Sequence, residues 1–197
     1  KETDENFWRI YGLGQRGVNT AAVFPNWQPA DAIPERAKLI AYGCDWGFTN
    51  DPTAIVSVWR EDYSLYIEEH IYKTGMTNRD ISEELDKLEL DRTPIICDSA
   101  EPKSIEELHR LGHNVKPSKK GPDSIRLGID IMKRHKLYIL KDSLNAQKEF
   151  RNYRWEVDRN GTQLSKPVDK SNHIIDAVRY ICINRIGTAY TGKYFIS

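Results

Sequence analysis

LIAYGCDWGFTNDPTAIVSVWREDYSLYIEEHIY, residues 39–72, holds three strand-like segments in a row. Leu39 to Gly43 is an apolar run leading to Asp45, and Thr53 to Arg60 and Leu65 to Tyr72 are rich in β-branched and aromatic residues. With a short turn at Glu61 to Ser64, they read as an antiparallel meander. Further on, Thr93 to Cys97 is another apolar run that ends on an acid, Asp98. Strands that are apolar throughout are usually buried on both faces of a sheet, so each carboxylate should emerge at a strand end inside a packed core. A third acid, Asp176, sits in an apolar helical pattern one turn after His173. Unpaired carboxylates in such surroundings are costly, and a bound metal is the simplest offset. Three of them point to a divalent-metal site for phosphate chemistry.

The remaining pattern extends the sheet. Asn78 can cap a helix running through Ile81, Leu85, Leu88 and Leu90, after which Ile95 to Cys97 forms a fourth strand. A helix opens at Pro102, carries Ile105, Leu108 and Leu111, and stops at Gly112. Asn114 to Lys116 is a short fifth strand. Pro122 or Asp123 starts a helix through Ile125, Leu127, Ile129 and Met132, Leu137 to Leu140 looks extended, and Ser143 to Tyr153 reads as helical. In Arg154 to Pro167, alternating Trp155 and Val157 followed by Asp158-Arg159-Asn160-Gly161 signal a hairpin. Ser171 or Asn172 caps a last helix that buries Ile174, Ile175, Val178, Ile181 and Ile183. Residues 1–36 carry Gly12, Gly14, Gly17, Pro25, Pro29 and Pro34 among aromatics and read as an irregular lead-in, leaving 37–197 as the folded domain.

This element order predicts a mixed α/β fold with a five-stranded central sheet flanked by helices, and the arrangement most compatible with it is ribonuclease H-like. There the first and fourth strands are parallel neighbours at the sheet centre. Asp45 and Asp98 would lie side by side, and the final helix would bring Asp176 to them.

Composition sets bounds. The 197 residues are 39% hydrophobic, enough for one sizeable domain with its own core. With 29 basic and 29 acidic side chains, no global field attracts nucleic acid, although Lys116, Lys119 and Lys120, and Lys133 to Lys136, form local basic clusters. Cys44, Cys97 and Cys182 stand in apolar surroundings without C-x-x-C spacing and read as reduced core thiols of an intracellular protein. No stretch approaches a membrane span or a secretory signal. The chain opens at Lys1 in mid-pattern, as a piece of a longer chain would.

Phosphodiester hydrolysis is served by two divalent ions about 3.5 to 4 Å apart. Magnesium and manganese prefer oxygen ligands. Asp45 would bridge the two ions, and Asp98 and Asp176 would each complete one. His173, at i and i+3 with Asp176, could ligate manganese or carry a proton. Duller roles exist for each: Asp45 as a turn cap beside Asn50, Asp51 and Pro52, Asp98 as an N-cap, Asp176 as a helix-dipole partner, His173 as a structural histidine. DNA phosphates would meet scattered cations, with Lys119, Lys120, Arg151 and Arg154 as candidates.

At YGCDWGFTNDPTAIVSVW, IICDSAEPKSIEELHRLG and NHIIDAVRY the chain resembles the nuclease domain of the tailed-bacteriophage terminase large subunit. The lead-in FWRIYGLGQRG and the segment FPNW are similar to that family's linker between motor and nuclease. The resemblance implies an endonuclease that cuts concatemeric double-stranded viral DNA during packaging, with Asp45, Asp98 and Asp176 matching the family's metal-binding aspartates and His173 an active-site histidine of some members. It implies a hairpin that borders the nuclease cleft and regulates access. It also implies an ATPase motor, a small terminase subunit and a portal as partners, and action at the procapsid in the host-cell cytoplasm. No G-x-x-x-x-G-K-[ST] motif occurs in the chain, so the motor half is expected to be absent and ATP not to be bound. Alternatives are a transposase- or resolvase-like nuclease on the same fold, and a non-catalytic DNA- or portal-binding module. An actin-like sugar kinase would share the Asp45 to Asn50 loop but needs a second domain and a Gly-rich adenosine loop.

Overall fold

The computed structural model describes residues 21–88, 90–160 and 162–187. The glycine-rich part of the lead-in, including Gly12, Gly14 and Gly17, lies outside the described residues. The meander is formed by β2 (Lys38–Asp45), β3 (Thr53–Glu61) and β4 (Ser64–Lys73), paired antiparallel as its alternating residues require. β5 (Ile95–Cys97) runs parallel beside β2, with Tyr42 opposite Ile95 and Cys44 opposite Cys97, and β6 (Val115–Pro117) follows it at the edge.

The sheet has seven strands rather than five, in the order β1 (Gln28–Ala30), β7 (Lys136–Leu140), β4, β3, β2, β5, β6. β7 adds parallel to β4, and β1 adds parallel to β7. β1 has three residues and no apolar alternation, so its strand character comes from the backbone groups that β7 offers it. Residues 21–36 are accordingly part of the folded body: Val23 and Phe24 are buried, and Phe24 packs on Phe150 and Tyr153.

Successive side chains of a strand face opposite ways, so the sheet builds two cores. Tyr42, Cys44, Ile55 and Ile95 meet α1 (Asn78–Asp86) and α2 (Pro102–Arg110) through Ile81, Leu85 and Leu108. Ala41, Ala54, Val56 and Ile96 meet α3 (Ser124–Lys133), α4 (Leu144–Asn152) and α5 (His173–Ile181). α5 continues into a π-helical turn, Cys182–Ile186. β8 (Trp155–Val157) and β9 (Gln163–Pro167) form the separate hairpin, whose turn is held by Asp158 Oδ1 accepting from the Asn160 and Thr162 amides.

The first helix differs from its sequence reading at both ends. The N-cap of α1 is Thr77, not Asn78: its hydroxyl accepts from the Asp80 amide while the Asp80 carboxylate accepts from the Thr77 amide, a reciprocal box that Asn78 cannot build. Asn78 instead reaches α2, donating to Glu107 at 2.8 Å. The helix ends at Asp86, before Leu88 and Leu90. The three cysteines are free and buried. No helix among the described residues is long and apolar enough to cross a membrane.

Candidate active site

Asp45 is the last residue of β2 and shares the strand face of Ala41 and Gly43, the one covered by α5. Asp98 follows Cys97, and its amide donates to Cys44 O at 3.1 Å, so the parallel ladder continues to the acids themselves. Both carboxylates are therefore delivered to one end of the sheet by adjoining strands. Gly43 lets α5 approach: a Cβ there would lie 2.3 Å from the Ala177 carbonyl oxygen. That contact sets His173, Asp176 and Tyr180, one face of α5, over the end of β2.

The resulting geometry is specific. His173 Nδ1 lies 2.9 Å from Asp45 Oδ2, and Tyr180 donates its hydroxyl to Asp45 Oδ1 at 3.2 Å. His173 Nε2 looks toward Asp51 at 3.6 Å, and its ring stands edge-on to Tyr72. Asp98 is paired with Lys120, its Oδ1 also accepts from the Ala100 amide, and its carbonyl oxygen accepts from the Trp46 indole. Asp176 turns to Arg179, which engages both of its oxygens at 3.0 and 3.1 Å.

Burial raises Asp45 above the ordinary carboxylate range, outweighing the bond from His173, and the charges of Asp176 and Asp98 push it further. Burial likewise raises Asp176, against the opposing pull of Arg179. The hydrogen bond to Asp45 holds His173 above its usual value. Three acids thus crowd within electrostatic reach, each with one basic neighbour: His173, Lys120 and Arg179.

The three acids are near neighbours, each already engaged by a basic side chain of the protein. Among the described residues no group of three or more His, Cys, Asp or Glu side chains is drawn together tightly enough to hold a metal ion. Protein cations occupy the oxygens, with Arg179 holding Asp176 and Lys120 holding Asp98. The donor set itself, hard carboxylate oxygens plus one imidazole, suits magnesium or manganese.

Of the four proposed DNA contacts, Lys120 belongs to the Asp98 pair and Lys119 is its exposed neighbour. Arg154 opens the hairpin and lines a different cleft, and Arg151 is exposed on α4. Sequence reasoning missed Tyr180, Arg179 and Glu149. Glu149 is buried on α4, where it accepts from the Tyr72 hydroxyl and from the Ile174 and Ile175 amides, and so anchors the start of α5. A buried acid inside an otherwise helical pattern was its one available signal. Arg179 reaches Asp176 because α3 presents Gly128 beneath it, where a Cβ would meet Arg179 Cγ at 2.2 Å.

Comparison with known proteins matches residues 45–182 to the terminase RNase H-like domain family. The chain is 30% identical over 194 residues to the terminase large subunit of Bacillus phage SPP1, covering 91% of this chain and 45% of the relative. It is 30% identical over 190 residues to the PBSX phage terminase large subunit of Bacillus subtilis (strain 168), covering 91% and 44%. It therefore spans less than half the length of these curated relatives. Among solved structures, the nuclease domain of the SPP1 large terminase with bound Mn superposes with a TM-score of 0.70 at 29% identity, over 80% of this chain and 96% of that one.

Proposed function

The chain belongs to the terminase RNase H-like domain family, and from that premise we propose that it is a divalent-metal-dependent endonuclease that cuts double-stranded viral DNA concatemers during genome packaging. The observation that carries the reading is the delivery of Asp45 and Asp98 by adjoining parallel strands to a point covered by His173 and Asp176 of α5. Mn bound to the similar SPP1 domain supports a hard divalent ion here. Asp45, Asp98 and Asp176 would hold it, with His173 as a further ligand or as proton carrier, and two ions are proposed. When bound, such ions stabilise negative charge on the phosphate oxygens as the ester bond breaks.

The chain's own groups do the rest. Tyr180 and His173 hold the two Asp45 oxygens in a fixed orientation. His173 presents Nε2 on the Asp51 side and can exchange a proton near neutral pH, with Asp45 stabilising its charged form. Lys120 and Arg179 pair with Asp98 and Asp176 at the oxygens that a bound cation would take over. Attachment to an ATPase motor, a small terminase subunit and a portal, and action at the procapsid in the host cytoplasm, are part of the same proposal.

Plasmid DNA incubated with the protein and manganese or magnesium should be nicked and linearised, and chelation should stop it. Asp45→Asn and Asp98→Asn should each abolish cleavage, while His173→Ala should leave a reduced rate. Undiminished cleavage in both aspartate variants would overturn the assignment.

A further inference from the structure

A second polar cleft of about 330 Å³ opens beside the site, between α4, the end of β4 and the base of the hairpin. Its lining includes Tyr72, Lys148, Asn152, Arg154, Lys170 and Ser171. Tyr72 joins it to the carboxylates, since its ring stands 6.4 Å, centroid to centroid, from that of His173, which holds Asp45. Arg154 is fixed there by the hairpin stem, where its carbonyl oxygen accepts from the Val168 amide at 2.9 Å. Lys170 comes from the segment between the hairpin and α5, and Lys148 from α4.

The cations of this cleft are not spent on acids of the protein. The chain as a whole carries equal numbers of acids and bases, and each acid at the strand ends has its own cation. Lys148, Arg154 and Lys170 have no ion pair among the described residues, although all three are exposed on one cleft. The acid in the lining, Glu149, does not neutralise them. Its oxygens point inward to the Tyr72 hydroxyl and the first amides of α5, so its charge is met by the helix start. Asn145, also in the lining, is spent on Glu69 at 2.6 Å. The Asn152 side chain and the Ser171 hydroxyl have no hydrogen-bond partner among the described residues and are available as neutral donors. Ser171 holds this position with φ of 51°, a left-handed conformation that a serine adopts at some cost.

We propose that this cleft is a phosphate subsite, in which Lys148, Arg154 and Lys170 grip the backbone of the DNA strand next to the phosphate that is cut. The inference rests on the nuclease reading for its ligand and adds the residues that position it. Three cations from α4, the hairpin and the α5 lead-in close on one strand, so DNA binding ties the hairpin to the catalytic helix. Contacts to backbone oxygens carry no sequence information, so the grip is the same for every sequence. Because these groups do not touch the reacting atoms, they bind ground and transition states alike and act on KM rather than kcat.

The test is binding of a mixed-sequence DNA duplex to the whole chain, in chelator and across a salt series, for wild type, Lys148→Ala/Lys170→Ala and Arg154→Ala. Arg36→Ala/Lys38→Ala, at the opposite end of β2, is a control with the same loss of charge. The double variant should bind about tenfold more weakly and flatten the log K against log salt slope by about 1 to 2, roughly 0.9 for each phosphate that is no longer neutralised, with the control unchanged. Arg154→Ala should lower the slope by about half as much. In manganese, the double variant should raise KM and leave kcat within about twofold. Wild-type slopes in the cleft variants, or an equal loss in the control, overturn the subsite. A protein that binds in this pattern and never cuts would sink the nuclease reading and leave the subsite standing.

Discussion

Glu149 shows how one buried charge can hold a site it does not enter. Its carboxylate accepts three hydrogen bonds, from Tyr72 and from the two amides that begin α5, and burial raises its pKa against those bonds. Glu149→Gln keeps shape and volume but replaces one accepting oxygen by an NH₂ that faces a donor. A buried donor left without an acceptor costs about 1 to 3 kcal/mol, so the variant should unfold at correspondingly lower urea. An unchanged midpoint would show that the carboxylate is dispensable to the helix start. The proximity of Asp45, Asp98, Asp176 and His173 was legible because each ends an apolar run or sits one turn from another acid or base. Tyr180 and Arg179 were not, because an amphipathic helix contains such residues for packing alone, and the partner of Tyr180 lies 135 positions away. Lys120 reads in the sequence as a phosphate contact, and only the folded chain shows it seated on Asp98.

At the scale of elements, the meander, the fourth and fifth strands, the hairpin and the helices were legible, since their periodicities are long or their turn residues distinctive. The outer strands were harder. β7 spans five residues that look extended without revealing a neighbour, and β1 has no pattern of its own, so both depend on pairing that no local signal encodes. Pairing of a different kind sets the distance between α5 and β2. At Gly43 a methyl group would meet the Ala177 carbonyl, a backbone atom that cannot rotate away. Gly43→Ala should therefore cost about 1 to 3 kcal/mol and lift the helix that carries His173 and Asp176, with metal-dependent cleavage falling alongside stability. Gly121→Ala is the contrast, because nothing lies within 4 Å of a Cβ there, and its unfolding midpoint should stay near wild type. Equal stability of the two variants would mean that α5 does not need that close approach.

For the whole molecule, the site's electrostatics leave a signature in stability. Asp45, Asp176 and Glu149 titrate above their ordinary values of 3.8, 3.8 and 4.5 because they are buried. The native state therefore keeps protons that the unfolded chain has already released, and stability falls as pH rises from those values through the native ones. His173 acts with the same sign: its pKa lies above 6.5, so the stability of its pair with Asp45 is full below 6.5 and is lost as pH rises through the raised value. Burial lowers the pKa of His70, which acts with the opposite sign over the same window, so the metal-free comparison is made in a His70→Gln background, where the melting temperature should be higher near about pH 6 than near about pH 8. A divalent ion reverses the order of benefit, because it binds deprotonated ligands and competes with protons at lower pH. At about 100 times its dissociation constant, manganese should add about 2.7 kcal/mol at the higher pH and less at the lower. Thermal melts in chelator and in manganese at the two pH values decide this. A metal-free stability that rises with pH, or a manganese gain independent of pH, would show that the buried acids at the strand ends are neither strained by their own charge nor the groups that receive the ion.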